Sequence, residues 1–490
     1  MRRSTHDIQP KQTKNGKAGG VDKIVAEMLK ADVGTSTTIL EKIFVKVWDG
    51  EEVPEDWKRG LIARVPKKGN LMDCGNWRGI TLMAVIAKIM GRIIIKRIKD
   101  GTDAKLRNEQ AGFRTGRGTI EQIFILKNII EQSIEWNNNL YVCFVDFEKA
   151  FDSVHRETLW KIMRHYGVPE KLITIIKKSY EGSMCAVLDG SETREWFRVV
   201  SGVKQGCTMS GFLFLLVIDF VMKRTVEGSS NGIRWSFTKK LDDLDFADDI
   251  ALISSTMKQC QDKVNKLKKA AQQVGLKINV GKTKTMRFNP RSQAPIKIGT
   301  DEIEEVDQFT YLGAVMNKAG GSEVDIRKRI GKAWAAFNKL KPIWRSQKFT
   351  TKTKVNVYKA CVISVLMYGC ETWGLTCGEE QLIDRFQHRS LRSLLRINYT
   401  MRVTNEEVRR RTCVELLSDT VRERRWRWLG HVLRMGRNEN ANIATQWRPD
   451  GKRKRGRPRE TWRKTIEREG AGRGLKSMDE MRRAAKDRVA

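Results

Sequence analysis

The 490-residue chain carries 93 Lys and Arg against 58 Asp and Glu, a formal net charge of +35 at pH 7. This excess indicates a polyanionic partner, for which nucleic acid is the ordinary candidate, and a nonspecific binder would share it. Nine cysteines without a Cys-x-x-Cys pair argue against a zinc finger and a disulfide framework. Because the sequence shows no long apolar run and no apolar leader, we expect an intracellular protein without a membrane anchor.

Apolar spacing in the first part of the chain predicts helices at 24–30, 38–48, 84–99 and 118–134. A strand is expected to begin near Trp57 and to lead into a basic turn. Downstream, the segment 109–118 sets Arg114 and Arg117 among three glycines. Glycines let the backbone come close to a nucleic-acid strand or a neighbouring helix. These two arginines therefore either contact nucleic acid or brace the fold.

Two acidic segments carry the strongest signal for chemistry. The apolar run 141–145 leads into Asp146, which is typical of a buried strand that ends on a carboxylate. Further along, Asp248 and Asp249 separate the apolar runs 244–247 and 250–253, which suit the two strands of a hairpin. Adjacent carboxylates repel each other unless a cation lies beside them, and Mg²⁺ prefers carboxylate oxygens. A lone Asp-Asp pair is most often a solvated turn, so the pairing with Asp146 decides the interpretation.

Between the acidic segments lies 201–210, a polar stretch with Gln205 and Gly206 that opens an apolar helix. In this order the three pieces resemble motifs A, B and C of reverse transcriptases, and Phe-Ala-Asp-Asp is similar to the non-LTR (LINE-type) retrotransposon branch. The resemblance implies an α+β, right-hand polymerase fold, followed by a basic helical C-terminal region. It divides the chain into fingers with a lead-in (1–130), a palm with an antiparallel sheet (131–320), a helical thumb (321–400) and the basic region (401–490).

The same resemblance implies an RNA-directed DNA polymerase that extends a primer 3′-hydroxyl with two Mg²⁺ ions, for which Mn²⁺ can substitute. Its implied metal ligands are Asp146, Asp248 and Asp249, with the backbone carbonyl of Phe147. The implied nucleotide contacts are Lys68 and Arg78 on the triphosphate, Phe151 as a steric gate, Gln205 and Gly206 of motif B, and Lys282 of motif D. Family members usually have Pro and Gly where this chain has Gly19 and Lys23, and Pro at Gly211, so we expect Gly211 to soften the motif B loop.

From Glu323 onward the pattern is helical, with an apolar stripe that indicates the core of a thumb. The segment 422–431 holds an arginine–tryptophan cluster that either grips nucleic acid or packs as a helix. In the tail 451–490, Arg455 and Arg457 resemble an AT-hook core, although a nuclear-localisation or nonspecific basic patch explains them equally well. The basic charge of this tail predicts a nucleic-acid anchor outside the active site, and its Gly and Pro content disfavours a packed core.

The expected partners are an RNA template, a DNA primer or target, and deoxynucleoside triphosphates, without a membrane or an obligate protein partner. We expect a ribonucleoprotein of the nucleus or the cytoplasm. Residues 1–16 leave no room for the endonuclease domain of LINE-type elements, so we expect a chain that lacks it. Two alternatives stay open: a catalytically decayed, nucleic-acid-binding remnant of the same fold, and a bacterial maturase-like enzyme. The second is less favoured, because the C-terminus has no Cys/His endonuclease cluster.

Overall fold

The computed structural model describes residues 10–50, 52–67, 69–190, 192–228, 231–456 and 458–487. The chain forms two compact units, each assembled from several segments. The first comprises Met1–Gly116, Val145–Ser229 and Asp262–Lys282, and the second comprises Arg117–Phe144, Ser230–Gln261 and Thr283–Ala490. Both units contain helices and strands, which confirms the α+β class. The predicted division at 130, 320 and 400 stays a prediction.

Helices make up much of both units. In chain order they are α1 (Ala26–Ala31), α2 (Val33–Gly50), α3 (Glu55–Lys58), α4 (Val85–Thr102), α5 (Thr119–Glu135), α6 (Ala150–Ser153), α7 (Arg156–His165), α8 (Glu170–Tyr180), α9 (Ser210–Val226), α10 (Met257–Gln273), α11 (Glu323–Lys339), α12 (Lys341–Arg345), α13 (Thr351–Tyr358), α14 (Ser364–Leu366), α15 (Cys377–Leu395), α16 (Asn405–Thr412), α17 (Leu417–Arg434), α18 (Asn440–Gln446), α19 (Trp462–Ala471) and α20 (Met478–Lys486). A π-helical turn, Lys359–Ile363, joins α13 to α14. Within the described ranges, none of these helices combines the length and the apolar character that a membrane span requires.

Strands supply one larger sheet to each unit and several short hairpins. In chain order they are β1 (Arg59–Pro66), β2 (Trp77–Leu82), β3 (Leu140–Val145), β4 (Met184–Asp189), β5 (Glu192–Thr193), β6 (Phe197–Arg198), β7 (Ile233–Arg234), β8 (Lys240–Leu241), β9 (Asp243–Phe246), β10 (Asp249–Ser254), β11 (Lys284–Phe288), β12 (Lys297–Ile298), β13 (Asp301–Glu302), β14 (Glu304–Glu305), β15 (Gln308–Tyr311) and β16 (Ala314–Asn317). In the first unit, β1 is antiparallel to β2 and parallel to β4.

The main sheet of the second unit has the strand order β14–β11–β3–β10–β9. Strand β3 is buried along its whole length, as its continuous apolar sequence predicts for an interior strand. It is antiparallel to β11, and β9 is antiparallel to β10. Asp249 lies opposite Phe246 in the β9–β10 pair, so the predicted hairpin around the Asp-Asp pair is confirmed.

Helix α5 packs in the core of the second unit and is buried over nearly its whole length. A buried helix must find partners for its polar side chains. The Lys127 ammonium lies 2.9 Å from the carboxylate of Asp325, and the Asn128 amide donates to the carbonyl of Phe124 at 2.8 Å. The predicted helical stripe beyond residue 323 is also confirmed, since Ile326 and Phe337 lie in a second apolar core.

Helices α19 and α20 of the C-terminal tail contribute to the packed core, so the expectation that the tail does not pack is wrong. Its role as a nucleic-acid anchor stays a prediction. Trp462 of α19 is 1% exposed, and its ring meets Phe124 edge-on with centroids 4.6 Å apart. Ile466 and Met481 belong to the same cluster. The connector that precedes α19 holds two glycines and the one proline of the tail, and three more glycines follow at 470, 472 and 474. The apolar residues begin at Trp462. Deletion of 451–490 would therefore remove core side chains.

In the arginine–tryptophan cluster of α17, Arg425 and Trp426 pack within the second unit, whereas Arg427 is 74% exposed. Arg425 is fully buried, with its Nη1 2.8 Å from the Glu469 carboxylate. The indole N–H of Trp426 donates to the other oxygen of the same carboxylate, also at 2.8 Å. A buried arginine needs such an anion, because an unpaired charge in the interior is costly. For Arg425 and Trp426, these contacts favour packing of the helix over binding of nucleic acid.

Glu131 of α5 gives the fold a testable pH dependence. Its carboxylate accepts the backbone N–H of Trp462 at 2.9 Å, and burial raises its pKa from 4.5 to about 7. Between these values the folded state holds a proton that the unfolded state has released, so stability falls as the pH rises through 7. We expect Glu131→Gln to increase the free energy of unfolding at pH 8 by up to about 3 kcal/mol and to change it little at pH 4.5.

Urea unfolding at the two pH values measures this difference. The matched control is Glu467→Gln, because the Glu467 side chain is 52% exposed and should give the same small effect at both pH values. Equal effects of Glu131→Gln at pH 4.5 and pH 8 would contradict the assignment.

Candidate active site

Asp146 directly follows β3 and is half-buried in the first unit. The backbone N–H of Asn279 donates to its carbonyl at 2.8 Å, and the adjoining Phe147 is bridged to Ile278. Burial raises the pKa of the Asp146 carboxyl, and the Lys282 ammonium, 3.8 Å away, pulls that pKa in the opposite direction. The predicted motif D segment therefore fixes the turn that carries Asp146, and a cation beside this carboxylate offsets its burial.

The Asp-Asp pair lies at the turn of the β9–β10 hairpin in the second unit. The two turn residues are Ala247 and Asp248, and Asp249 opens β10 with an exposed side chain. Ala247 has a φ of +58°, a region that residues with a Cβ seldom adopt. Such strain persists only where the surrounding structure holds it, and it is concentrated at functional sites. This turn fixes the position of Asp248, whose side chain is half-buried.

Tyr311 reports the electrostatic character of this hairpin. Its hydroxyl donates to the carbonyl of Leu244 at 2.9 Å. Burial raises its pKa well above the usual value, and the carboxylates of Asp245, Asp249 and Asp243 raise it further. The negative charge of these three carboxylates also favours a cation nearby, whereas burial does not.

The motif B loop is shaped by glycines and backbone hydrogen bonds of the first unit. Gly206 has a φ of +112°, and a Cβ built there would lie 2.5 Å from the carbonyl oxygen of Thr81. The N–H of Thr81 donates to the carbonyl of Gln205 at 2.6 Å. At the other end of the loop, the N–H of Val203 donates to the carbonyl of Phe151 at 2.8 Å. Gln205 and Gly206 are thus brought together with β2, and the loop is joined to the motif A segment.

Arg156 is a positioning residue that the sequence reasoning missed. Its guanidinium donates to the backbone carbonyls of Val199 and Gly202 at 2.9 Å and of Ser201 at 3.0 Å. One arginine therefore holds the entry to the motif B loop. The sequence offers little signal for this role, because carbonyl acceptors are the same for every residue type.

The predicted nucleotide contacts differ in their surroundings. Phe151 is half-buried in α6, stacked on Phe214 with centroids 4.4 Å apart and edge-on to Phe113 at 6.3 Å. This packing holds the ring in one orientation. Arg78 is exposed on β2, opposite Val65. Lys68 lies outside the described residues.

The predicted nucleic-acid contacts also divide into two kinds. The Arg114 guanidinium makes two hydrogen bonds to the Asp103 carboxylate, at 3.1 and 3.2 Å, and Arg117 lies 2.6 Å from Glu121 and 2.7 Å from Glu439. Both side chains are largely buried, so the structure favours the bracing interpretation for them. Arg455 is exposed, and Arg457 lies outside the described residues.

Comparison with known proteins agrees with these motifs. The model of the family "Reverse transcriptase (RNA-dependent DNA polymerase)" matches residues 65–316, which is more than half of the chain. The chain belongs to the reverse transcriptase family. A domain of unknown function matches residues 336–368. The family membership expected from the motifs is therefore confirmed.

Similar proteins come from mobile elements. The retrovirus-related Pol polyprotein from type-1 retrotransposable element R2 of Nasonia vitripennis is 26% identical over 299 residues, covering 59% of this chain and 29% of that protein. The probable RNA-directed DNA polymerase from transposon X-element of Drosophila melanogaster is 25% identical over 465 residues, covering 91% of this chain and 49% of that protein. This chain thus spans half or less of the length of these relatives. Among solved structures, apo telomerase from Candida Tropicalis is 13% identical with a TM-score of 0.39, over 91% of this chain and 68% of that chain.

Two departures from the family motifs have visible consequences in this reverse transcriptase. Lys23 replaces the usual glycine and has a φ of +55°. The turn therefore keeps its left-handed backbone conformation, which is strained for a residue with a Cβ. Gly211 replaces the usual proline, and a Cβ there would lie 2.8 Å from the ring of Phe113. Helix α9 still begins at Ser210, so the missing proline does not abolish the helix.

The family generally uses divalent metal ions. Asp146 belongs to the first unit and Asp248 and Asp249 belong to the second, and each is described within its own unit. Over the described ranges, no group of three or more His, Cys, Asp or Glu side chains is arranged to hold a metal ion. The donor chemistry fits Mg²⁺ nevertheless, because all three candidate side chains are carboxylates, whose oxygens this ion prefers.

Gly206 provides a test of the motif B geometry. We expect Gly206→Ala to lower the free energy of unfolding by about 1–3 kcal/mol, because the new Cβ combines a positive φ with a clash against Thr81. Gly190→Ala is the matched control, since Gly190 has a φ of +64° with open space around it. Chemical unfolding of both variants measures the difference. A cost no larger than that of Gly190→Ala would show that the contact with Thr81 is unimportant.

Proposed function

We propose that this chain is the RNA-directed DNA polymerase of a non-LTR retrotransposon, which extends a primer 3′-hydroxyl on an RNA template. The main support is the arrangement of the motifs on the fold. Asp146 follows the buried strand β3, and the Asp-Asp turn belongs to the hairpin whose strand β10 is the neighbour of β3. Membership of the reverse transcriptase family and similarity to a probable RNA-directed DNA polymerase point the same way.

In this proposal, Asp146, Asp248 and Asp249 hold two Mg²⁺ ions, with the backbone carbonyl of Phe147 as a further ligand. The ions would neutralise the triphosphate and lower the pKa of the primer 3′-hydroxyl. Lys282 would give a proton to the departing pyrophosphate, and its ammonium lies 3.8 Å from the Asp146 carboxylate. Lys68 and Arg78 would hold the triphosphate from the other side, as cationic side chains do in phosphate sites.

Two further features would select and orient the substrates. The Phe151 ring would lie under the incoming sugar and exclude a 2′-hydroxyl by overlap, because its stacking on Phe214 prevents it from turning away. Gln205 and Gly206 would form the nucleotide side of the motif B loop, with Arg156 holding the entry to that loop. Arg455 and Arg457 would contact nucleic acid outside the active site, in a ribonucleoprotein of the nucleus or the cytoplasm.

The carboxylates can be tested by primer extension on poly(rA)/oligo(dT) with Mg²⁺ or Mn²⁺. We expect Asp248→Asn to abolish extension, because the amide is a weaker ligand without charge. The fold should survive, since removing one carboxylate of an adjacent pair relieves repulsion. Mg²⁺ should raise the melting temperature of the original chain and not that of the variant.

Asp301→Asn is the matched control, because Asp301 is exposed and opens the second strand of the β12–β13 hairpin as Asp249 does in its own hairpin. It should keep full activity. Full activity of Asp248→Asn would exclude the metal assignment. An original chain that binds primer-template without extending it would favour the catalytically decayed remnant.

The steric gate can be tested separately. Phe151→Ala should increase the use of ribonucleotides relative to deoxyribonucleotides, because the space for a 2′-hydroxyl opens. Phe151→Tyr keeps the ring and should keep the discrimination. Steady-state kcat/KM for dTTP and UTP on the same primer-template measures both variants. If Phe151→Ala discriminates as well as the original chain, the ring is only a packing residue between Phe113 and Phe214.

A further inference from the structure

Three cavities of the second unit, of about 620, 320 and 150 Å³, lie beside the connector that precedes α19 and share lining residues. Arg448 lines both the first and the second cavity, and Glu135 and Arg453 line both the second and the third. We call this feature the tail groove. The first cavity falls in the range of about 300–1,000 Å³ that is usual for ligand sites.

The tail groove is strongly basic. Among the described residues, its charged lining consists of the basic side chains Arg234, Arg448, Arg453, Lys454, Arg455, Arg459, Arg463 and Lys464 and the acidic side chains Asp450, Glu135 and Glu467. All three acidic side chains are paired within the lining. Glu135 lies 2.9 and 2.6 Å from Arg453 and Lys464. Asp450 lies 3.5 Å from Arg234, and Glu467 lies 2.9 Å from Arg463. The remaining excess of basic side chains along one path indicates a chain of phosphates as the ligand.

Aromatic rings accompany the arginines at the wide end of the groove. Phe237 is 96% exposed, and the Arg234 guanidinium lies 5.6 Å from its ring centre. Trp235 and Trp447 form a buried floor beneath it, with centroids 5.4 Å apart. In the middle of the groove, the Arg448 guanidinium lies 5.8 Å from the ring centre of Trp136. An exposed aromatic ring beside an arginine is the kind of platform on which single-strand binders stack a nucleobase.

We propose that the tail groove binds a single-stranded nucleic acid, with one base stacked on Phe237 and the backbone following Arg448 and Arg455. The ligand is single-stranded because a duplex hides the base faces that Phe237 would contact. The site uses none of the carboxylates of the polymerase proposal, and Arg455 is the one residue that the two share. Loss of primer extension in Asp248→Asn with unchanged single-strand binding distinguishes the two. RNA and DNA strands share the recognised chemistry, and the experiment separates them.

The test uses the full chain, without divalent ions or nucleotides, and fluorescein-labelled oligonucleotides of about 12 nucleotides, a length typical of single-strand binders. Fluorescence anisotropy is measured for RNA, for DNA and for the corresponding duplex across a salt series. Phe237→Ala should weaken single-strand binding about 5- to 100-fold, the usual effect of losing one stacking ring. Arg448→Gln with Arg455→Gln should flatten the slope of log K against log salt by about 1.4 units.

Matched controls come from the same unit. Tyr399→Ala removes a ring that is 93% exposed, and Arg427→Gln removes a guanidinium that is 74% exposed and paired with Glu423. Neither should change single-strand binding appreciably. Tighter binding of RNA or of DNA by the original chain identifies which strand the groove takes, and both outcomes support the site. Equal losses in Phe237→Ala and Tyr399→Ala, or binding of the duplex in preference to both single strands, would overturn the proposal.

Discussion

A single buried carboxylate ties together the helices and strands of the second unit. Asp325 of α11 is 1% exposed and accepts hydrogen bonds from the Lys127 ammonium and the Trp373 indole at 2.9 Å, and from the backbone N–H of Val315 at 3.0 Å. Burial alone would raise the pKa of Asp325, but the Lys127 charge and these hydrogen bonds hold it below the usual value. Removing one partner from such a group costs about 3–5 kcal/mol, because the other charge stays buried. The Asp325 carboxylate thus holds together helix α5, strand β16 and the chain beyond α14.

In the first unit, the motif B loop is held by contacts to the backbone and not by a buried charge. Arg156 donates to three carbonyls at the start of the motif B loop, and Gly206 lies against the backbone of Thr81. Backbone acceptors impose shape without requiring particular side chains. The loop can therefore keep its course while neighbouring side chains change, as Gly211 in place of the usual proline illustrates.

The sequence predicted those strands and turns whose conformation depends mainly on neighbouring residues in the chain. The apolar run into Asp146 predicted β3, and the two short runs around Asp248 predicted the hairpin, because a strand is recognisable from its own sequence. The partners of Asp325 and Arg156 were not predictable, since they come from distant segments or are carbonyls. The prediction that the tail does not pack was wrong because it rested on the basic, Gly-containing composition of the tail. The packing is determined by Trp462, which follows the connector and is buried.

The position of Trp462 also constrains when the second unit can fold during synthesis. Helix α5 and strand β3 are made early, yet the side chains that cover them include Trp462, Ile466 and Met481 near the end of the chain. Until these residues leave the ribosome, Phe124 and its neighbours remain exposed to chaperones and proteases. A stop codon that removed Trp462 and the residues after it would thus uncover the early-made core, and cellular quality control would degrade such a product.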